Sequence, residues 1–382
     1  MLLAVVMWLT GSCTDDADSD MPANGRTRRL TMLIGTQQYI DTNANETRGS
    51  GDLPTSFSEI SYTTTPIAKI QGYLTFDATG GAIHETRPIP CEFSYVQTDN
   101  NWQTEVNLED GHYYFYGYMP KDVVNEASVS AYNMVYSKGA VLTLKGLNAV
   151  VPDDVCVIVG AKGYGKEPDN TAVPDMSNRL GKFDYHTDEG DKFYLLVDHI
   201  YAQLQFKMRL SQGYGQLRTI KVKSITLKPD NGSNTVKTVD VTAVVVANNL
   251  NYNPIVPRYN AAGVNIGGNV SFTTKTTGSD PAAAKLYEGT GKELPKEPED
   301  PETFLACFCP TANSKFLMTT VYDVYDSDGN LIREDERADN AITLYNEMTS
   351  GQVHTVNITV QPTYLFMLSD PDLDNPTFKI SY

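Results

Sequence analysis

Basic charge, cysteine, histidine and helical patterning are all scarce in this 382-residue chain. The 30 Lys and Arg face 47 Asp and Glu, giving a formal net charge of -17, and no basic block compensates the acids. Nucleic acid and anionic membrane surfaces are therefore poor partners on electrostatic grounds. The five histidines, His84, His112, His186, His199 and His354, show no paired spacing of the zinc type and read as core or surface residues. The chain has neither a Gly-x-Ser-x-Gly elbow nor a phosphate-binding glycine loop. Nothing singles out one carboxylate pair among the 47 acids for glycosidase chemistry. No catalytic residue, metal or cofactor is expected. No amphipathic helix of convincing length is found either.

The 23 tyrosines, with many Thr, Val and Gly and closely spaced turn signals, favour β structure. The length suits two domains. Residues 1–12 are mostly apolar, too short to span a bilayer as a helix, and end in Thr10-Gly11-Ser12, the form of a secretory signal. Cys13 follows directly, where a bacterial lipoprotein carries the thiol that receives its lipid; an ordinary cleaved signal is the other reading. Behind it, Asp15, Asp16, Asp18 and Asp20 form an acidic tail that reads as a solvated linker. Of the remaining cysteines, Cys91, Cys156, Cys307 and Cys309, no spacing identifies a pair, and buried free thiols are favoured over a bridge.

Leu30 to Ile40 is strand-like, with Leu30, Met32, Ile34 and Ile40 on one alternating phase interrupted by Thr36 and Gln38. Arg26, Arg28 and Arg29 precede it in this reading, and Arg48-Gly49 follows in a polar, Gly-rich stretch that should be accessible. Further strands are expected at 67–76, 92–95, 112–118, 140–144 and 155–161, then a long loop from 163 to 178. The clearest strand is 201–210, where Ala202, Leu204, Phe206, Met208 and Leu210 alternate with polar residues. Ile220 and Val222 share one phase and Ile225 and Leu227 the other, which predicts a bulge near Lys223 and Ser224. Val236 to Val246 continues as a strand. The run from Gly289 to Pro301 should be an exposed, mobile loop. A hairpin at 316–333 turns on Asp326-Ser327-Asp328-Gly329-Asn330, which a hairpin turn explains better than a calcium loop because Val324 stands where the first acidic ligand belongs. Gly351 to Val360 and a final strand near Phe378 to Ile380 close the chain. In the aromatic cluster His112 to Tyr118, Tyr114, Tyr116 and Tyr118 share a face, as sandwich core or as a platform for sugar rings. The fold class expected is all-β, two tandem antiparallel sandwiches.

At Asp198-His199-Ile200-Tyr201-Ala202-Gln203-Leu204-Gln205-Phe206, at Val321-Tyr322-Asp323-Val324-Tyr325-Asp326, and from Pro362-Thr363-Tyr364 through Ser369 to Pro376, the chain resembles the fimbrillin family of Bacteroidales. The resemblance implies transthyretin-like sandwich domains and a shaft, tip or anchor position in a cell-surface fimbrium. It divides the chain into a signal peptide (1–12), a lipidated propeptide with a removable strand (13–48), and two sandwich domains (49–197 and 198–382), the second ending in a donor-type tail. It further implies an outer-membrane lipid anchor on Cys13, an arginine-specific or trypsin-like protease cutting at Arg48-Gly49, and exchange of the plug for a neighbouring subunit's strand. Burying four or five plug side chains at about 1.5 to 3 kcal/mol each makes such an exchange durable. A host or bacterial surface ligand would be the adhesive target. The competing class is a monomeric carbohydrate-binding surface lipoprotein that uses the tyrosines.

Overall fold

The computed structural model describes residues 26–36, 40–41, 69–77, 89–96, 98–99, 101–108, 111–124, 126–134, 137–163, 182–185, 192–247, 270–276, 280–363 and 372–381. Over these residues the protein is almost entirely β. In chain order the strands are β1 (Arg26–Thr36), β2 (Ile40–Asp41), β3 (Ile70–Asp77), β4 (Ile89–Val96), β5 (Asn101–Leu108), β6 (Gly111–Met119), β7 (Glu126–Met134), β8 (Ser137–Asn148), β9 (Val150–Val151), β10 (Cys156–Gly163) and β11 (Lys182–Tyr185). They continue as β12 (Lys192–His199), β13 (Ala202–Leu210), β14 (Arg218–Pro229), β15 (Thr238–Ala247), β16 (Val270–Lys275), β17 (Ala284–Glu293), β18 (Glu302–Phe308), β19 (Lys315–Asp326), β20 (Leu331–Thr343), β21 (Gln352–Thr363) and β22 (Asp372–Ser381).

The first sheet runs β10-β12-β1-β5-β4-β3-β6-β11, and β10 also pairs with β6. Seven strands therefore close on themselves. The closing seam is short, Cys156 against Met119 and Val157 against Tyr118. Gly72 faces Gly117 across β3 and β6, and a Cβ on Gly117 would run into the Gln71 carbonyl oxygen, so this close approach needs glycine. A second sheet, β16-β15-β8-β7, completes this half. Between them lies one apolar cluster that includes Tyr116, Tyr118, Leu142, Leu144, Val239, Val241, Ile200 and Tyr201.

The other half is a sandwich of β2-β21-β13-β18-β9, with β22 on β21, against β17-β14-β19-β20. Strand β13 shows why: its alternating residues are buried from Ala202 to Leu210 while Gln203, Gln205, Lys207 and Arg209 stay half-wet. Leu204, Phe206, Met208, Ile225, Leu227, Met318, Tyr322, Val356 and Ile358 form its core. The phase change in β14 is a bulge: pairing with both β17 and β19 shifts between Val222 and Ser224, and Lys223 meets Asp323 at 3.1 Å and Asp335 at 2.7 Å. Pairing crosses residue 198 in both directions. The β15-β16 hairpin joins β8, and β9 joins β18.

The expectation of a mobile loop from Gly289 to Pro301 is overturned. β17 carries pairing through Lys292 and Glu293, and Leu294 is buried and bonded through its N–H to the Ile220 carbonyl. The Leu210 N–H then bonds the Pro295 carbonyl, and Glu297 returns its N–H to Leu210. One apolar anchor and three ladder-like bonds order a stretch whose composition reads as solvated. The expected loop at 163–178 lies almost wholly outside the described residues.

Candidate functional site

Among the described residues β1 is the first strand, yet it is inserted inside the ring. Its N-terminal part runs antiparallel to β5, from Arg26 against Leu108 to Met32 against Trp102. Its C-terminal part runs parallel to β12, from Thr31 against Lys192 to Thr36 against Val197. Only Thr31 and Met32 are paired on both sides, so the strand braces two neighbours diagonally. A parallel partner cannot come from a hairpin; β1 and β12 meet only because a segment remote in sequence is laid into the sheet.

The residues opposite the expected plug positions are buried, two of them apolar and one a threonine. Leu30 is the register partner of Thr104, Met32 of Trp102 and Ile34 of Leu195, and all three neighbours are buried. Trp102 is further fixed by an edge-on ring contact with Tyr95 at 5.5 Å. Ile40, expected on the same strand, lies instead on β2, paired in parallel with Gln352 and Val353 of β21 in the other half. Arg26, Arg28 and Arg29, expected before the strand, are inside β1 and paired with Leu108, Val106 and Glu105. Cys13, Arg48 and Gly49 lie outside the described residues.

The edge of β21 opposite β13 is shared. β2 takes Gln352 and Val353, and β22 takes Asn357 to Thr363 in antiparallel register. Thus the segment that follows β1 and the C-terminal strand dock end to end on one strand. β22 is held by burial of Phe378 against Tyr322, with ring centroids 5.1 Å apart, and by a 2.8 Å ion pair from Arg218 to Asp374. The Tyr214 hydroxyl donates to the Leu373 carbonyl at 3.0 Å. The tail reads here as this half's own last strand, and Asp374 in its acidic run is engaged by Arg218.

The other sequence candidates resolve in bland ways. Tyr116 and Tyr118 are both in the core, so neither can serve an exposed sugar platform. Asp326 spends its carboxylate on its own turn: Oδ1 accepts N–H bonds from Asp328 and Asn330, and Oδ2 accepts one from the Asn330 side chain. Gly329 supplies the left-handed residue at φ 84°. Those bonds, led by the Asn330 side chain, hold Asp326 below the usual carboxylate range. Cys91, Cys156, Cys307 and Cys309 are all buried, and no disulfide forms among the described residues. Burial pushes the Cys91 thiol well up and that of Cys309 to about 11.

One constellation was not visible in the sequence. Asp154, Cys156 and His199 come together at the ring's seam. Their residue types are those of a thiol triad, but Cys156 is fully buried, and burial followed by the Asp154 charge pushes its thiol well above the ordinary range. A buried thiol held in its protonated form is not a nucleophile. The only available signal was the strand pairing that sets Cys156 opposite His199, 43 residues away.

No protein-family model matches the chain, and no curated protein matches it. Among solved structures, the chain is similar to a candidate cell adhesion protein of Bacteroides fragilis, at 11% identity and a TM-score of 0.38, covering 93% of this chain and 97% of that one. It is also similar to a fimbrial protein of Bacteroides vulgatus, at 11% identity and 0.29, covering 92% and 99%. A third is the fimbrial anchor protein Mfa2 of Porphyromonas gingivalis, at 11% identity and 0.23, covering 92% and 96%. Coverage is nearly complete while the superpositions are loose, so the likeness supplies no residue roles for this chain.

Proposed function

We propose that this chain is a structural and adhesive subunit of a cell-surface fimbrium, held unassembled by its own N-terminal strand. The observation that carries the reading is the place of β1, which is early in the sequence, inserted between β5 and β12, and followed by a trypsin-type site at Arg48-Gly49. Loss of β1 would open two strand edges at once, one antiparallel and one parallel, and unpaired edges recruit strands. A neighbour's strand entering with the polarity of β1, with apolar residues at the Leu30, Met32 and Ile34 positions, would restore both ladders. β22 is the segment available as donor, and it would have to leave β21 to serve.

In this reading Cys13 carries the lipid that holds the precursor at the outer membrane. An arginine-specific or trypsin-like protease releases residues up to Arg48, and other fimbrial subunits are the partners. Adhesion to a host or bacterial surface, and the biofilm it supports, follow from the assembled polymer. The N-terminal residue of the mature surface form tests the proposal. Gly49 is expected for a shaft or tip subunit. A surface form that begins at lipidated Cys13 and keeps β1 would instead assign an anchor position, and a surface form beginning elsewhere downstream would overturn the choice of Arg48.

A further inference from the structure

Among the described residues one cluster places three chemically different metal-ligating atoms together, and neither the ring nor the slot uses it. Cys156 opens β10 and stands directly opposite His199, the last residue of β12; in an antiparallel pair such partners share a face. Asp154 lies two residues before Cys156 in the extended turn that leads out of β9, half-buried where the other two are fully buried. The His199 Nδ1 is 2.6 Å from an Asp154 carboxylate oxygen and 3.5 Å from the Cys156 sulfur, and all three donor atoms lie within 4.8 Å of one another.

We propose that Asp154, Cys156 and His199 form a binding site for one zinc-class divalent cation. Thiolate, imidazole and carboxylate together are the donor set that suits zinc among the common divalent ions, whereas calcium and magnesium take oxygen alone. Tetrahedral zinc with its usual bond lengths sets sulfur and nitrogen ligands about 3.5 Å apart and nitrogen and oxygen about 3.3 Å apart. The first separation is already present. The second requires Asp154 to withdraw by a fraction of an ångström as its hydrogen bond to the imidazole is replaced, and Asp154 is the partly exposed member, set between β9 and β10. On binding, the cation takes the place of the thiol proton, which leaves to solvent, and the imidazole carries its single proton on Nε2. A water on the Asp154 side completes four ligands.

The position gives the site a consequence. Cys156 also pairs with Met119 across the seam, and His199 ends the strand that runs beside β1. A cation there ties β10 to β12 where the ring closes, one strand from the proposed slot. It would hold the slot wall in place whether or not β1 is present.

The test uses the full chain, stripped with chelator and titrated with Co(II) and then Zn(II), neither of which needs an assembly assay. One Co(II) per chain is expected, with an intense thiolate-to-cobalt charge-transfer band that Zn(II) removes. The band should vanish in Cys156→Ser and in His199→Gln, persist in Cys309→Ser, and require roughly tenfold or more metal in Asp154→Asn. The thermal midpoint should rise with Zn(II) in the unaltered chain and in Cys309→Ser, and stay unchanged in Cys156→Ser and His199→Gln. Absence of the band in the unaltered chain, or its survival in Cys156→Ser, overturns the site. If Cys156→Ser and His199→Gln do not fold, the half-exposed Asp154→Asn decides, and unchanged metal affinity in that variant overturns the site as well.

Discussion

β1 and β22 are the first and last strands of the described residues, and they are held in opposite ways. β1 lies inside a closed ring with β5 on one side and β12 on the other, while β22 is paired on one side only, to β21, and is kept there by Phe378 and the Arg218-Asp374 pair. A strand inside a ring is part of the closure; a strand at an edge adds one ladder and, through Phe378, one ring to a core built mostly by other strands. Losing β1 creates two edges, and losing β22 creates one. The segment that leaves the larger vacancy is also the one that precedes the candidate cleavage site.

Backbone disruption should separate the two most strongly. Met32→Pro removes a donor at a residue paired with both Trp102 and Phe193, and should cost about 3–5 kcal/mol in a denaturant titration. Phe378→Ala comes next, at about 3 kcal/mol, because its ring is buried against Tyr322, and hydrogen exchange should show the loss in β22 while β1 keeps its protection. Lys379→Pro, at an edge strand and paired only with Thr359, should cost about 1–2 kcal/mol; a cost equal to that of Met32→Pro would erase the distinction. Arg218→Gln removes a partly exposed ion pair and should cost under about 1 kcal/mol, with exchange rising first in β22.

Acid should produce the mildest effect. Hydrogen bonds from Lys121 and Lys69 hold Glu92 below its ordinary 4.5, and Asp326 is held below its ordinary 3.8 by its turn. Carboxylates with depressed folded values contribute stability above their unfolded values and lose it as pH falls through the folded ones. The unfolding midpoint should therefore stay level down to about pH 4.5 and decline only below it.

Much of the second half was legible because its strands have one wet face and one dry face. β13 alternates without a break, and the phase change in β14 announced its bulge. β20 was legible only at its start, since an exposed edge strand of charged residues such as Arg333, Glu334, Asp335 and Arg337 shows no period; Ile342 is its buried residue. Leu294 alone could not reveal that a charged, Pro-rich run is pinned to β13 and β14. Which sheet the β15-β16 hairpin joins, and that Cys156 faces His199, depend on pairings between remote segments, which local pattern does not encode. The strand at Leu30 was legible by alternation; its parallel partner was not.

The most direct measurement is the mass in solution, by light scattering, of the purified chain before and after cutting at Arg48-Gly49 with release of the N-terminal peptide. A monomer is expected before the cut and strand-linked oligomers after it, reversed by adding a peptide of residues 26–41. A cut chain that stays monomeric with β5 and β12 still protected from hydrogen exchange would contradict it.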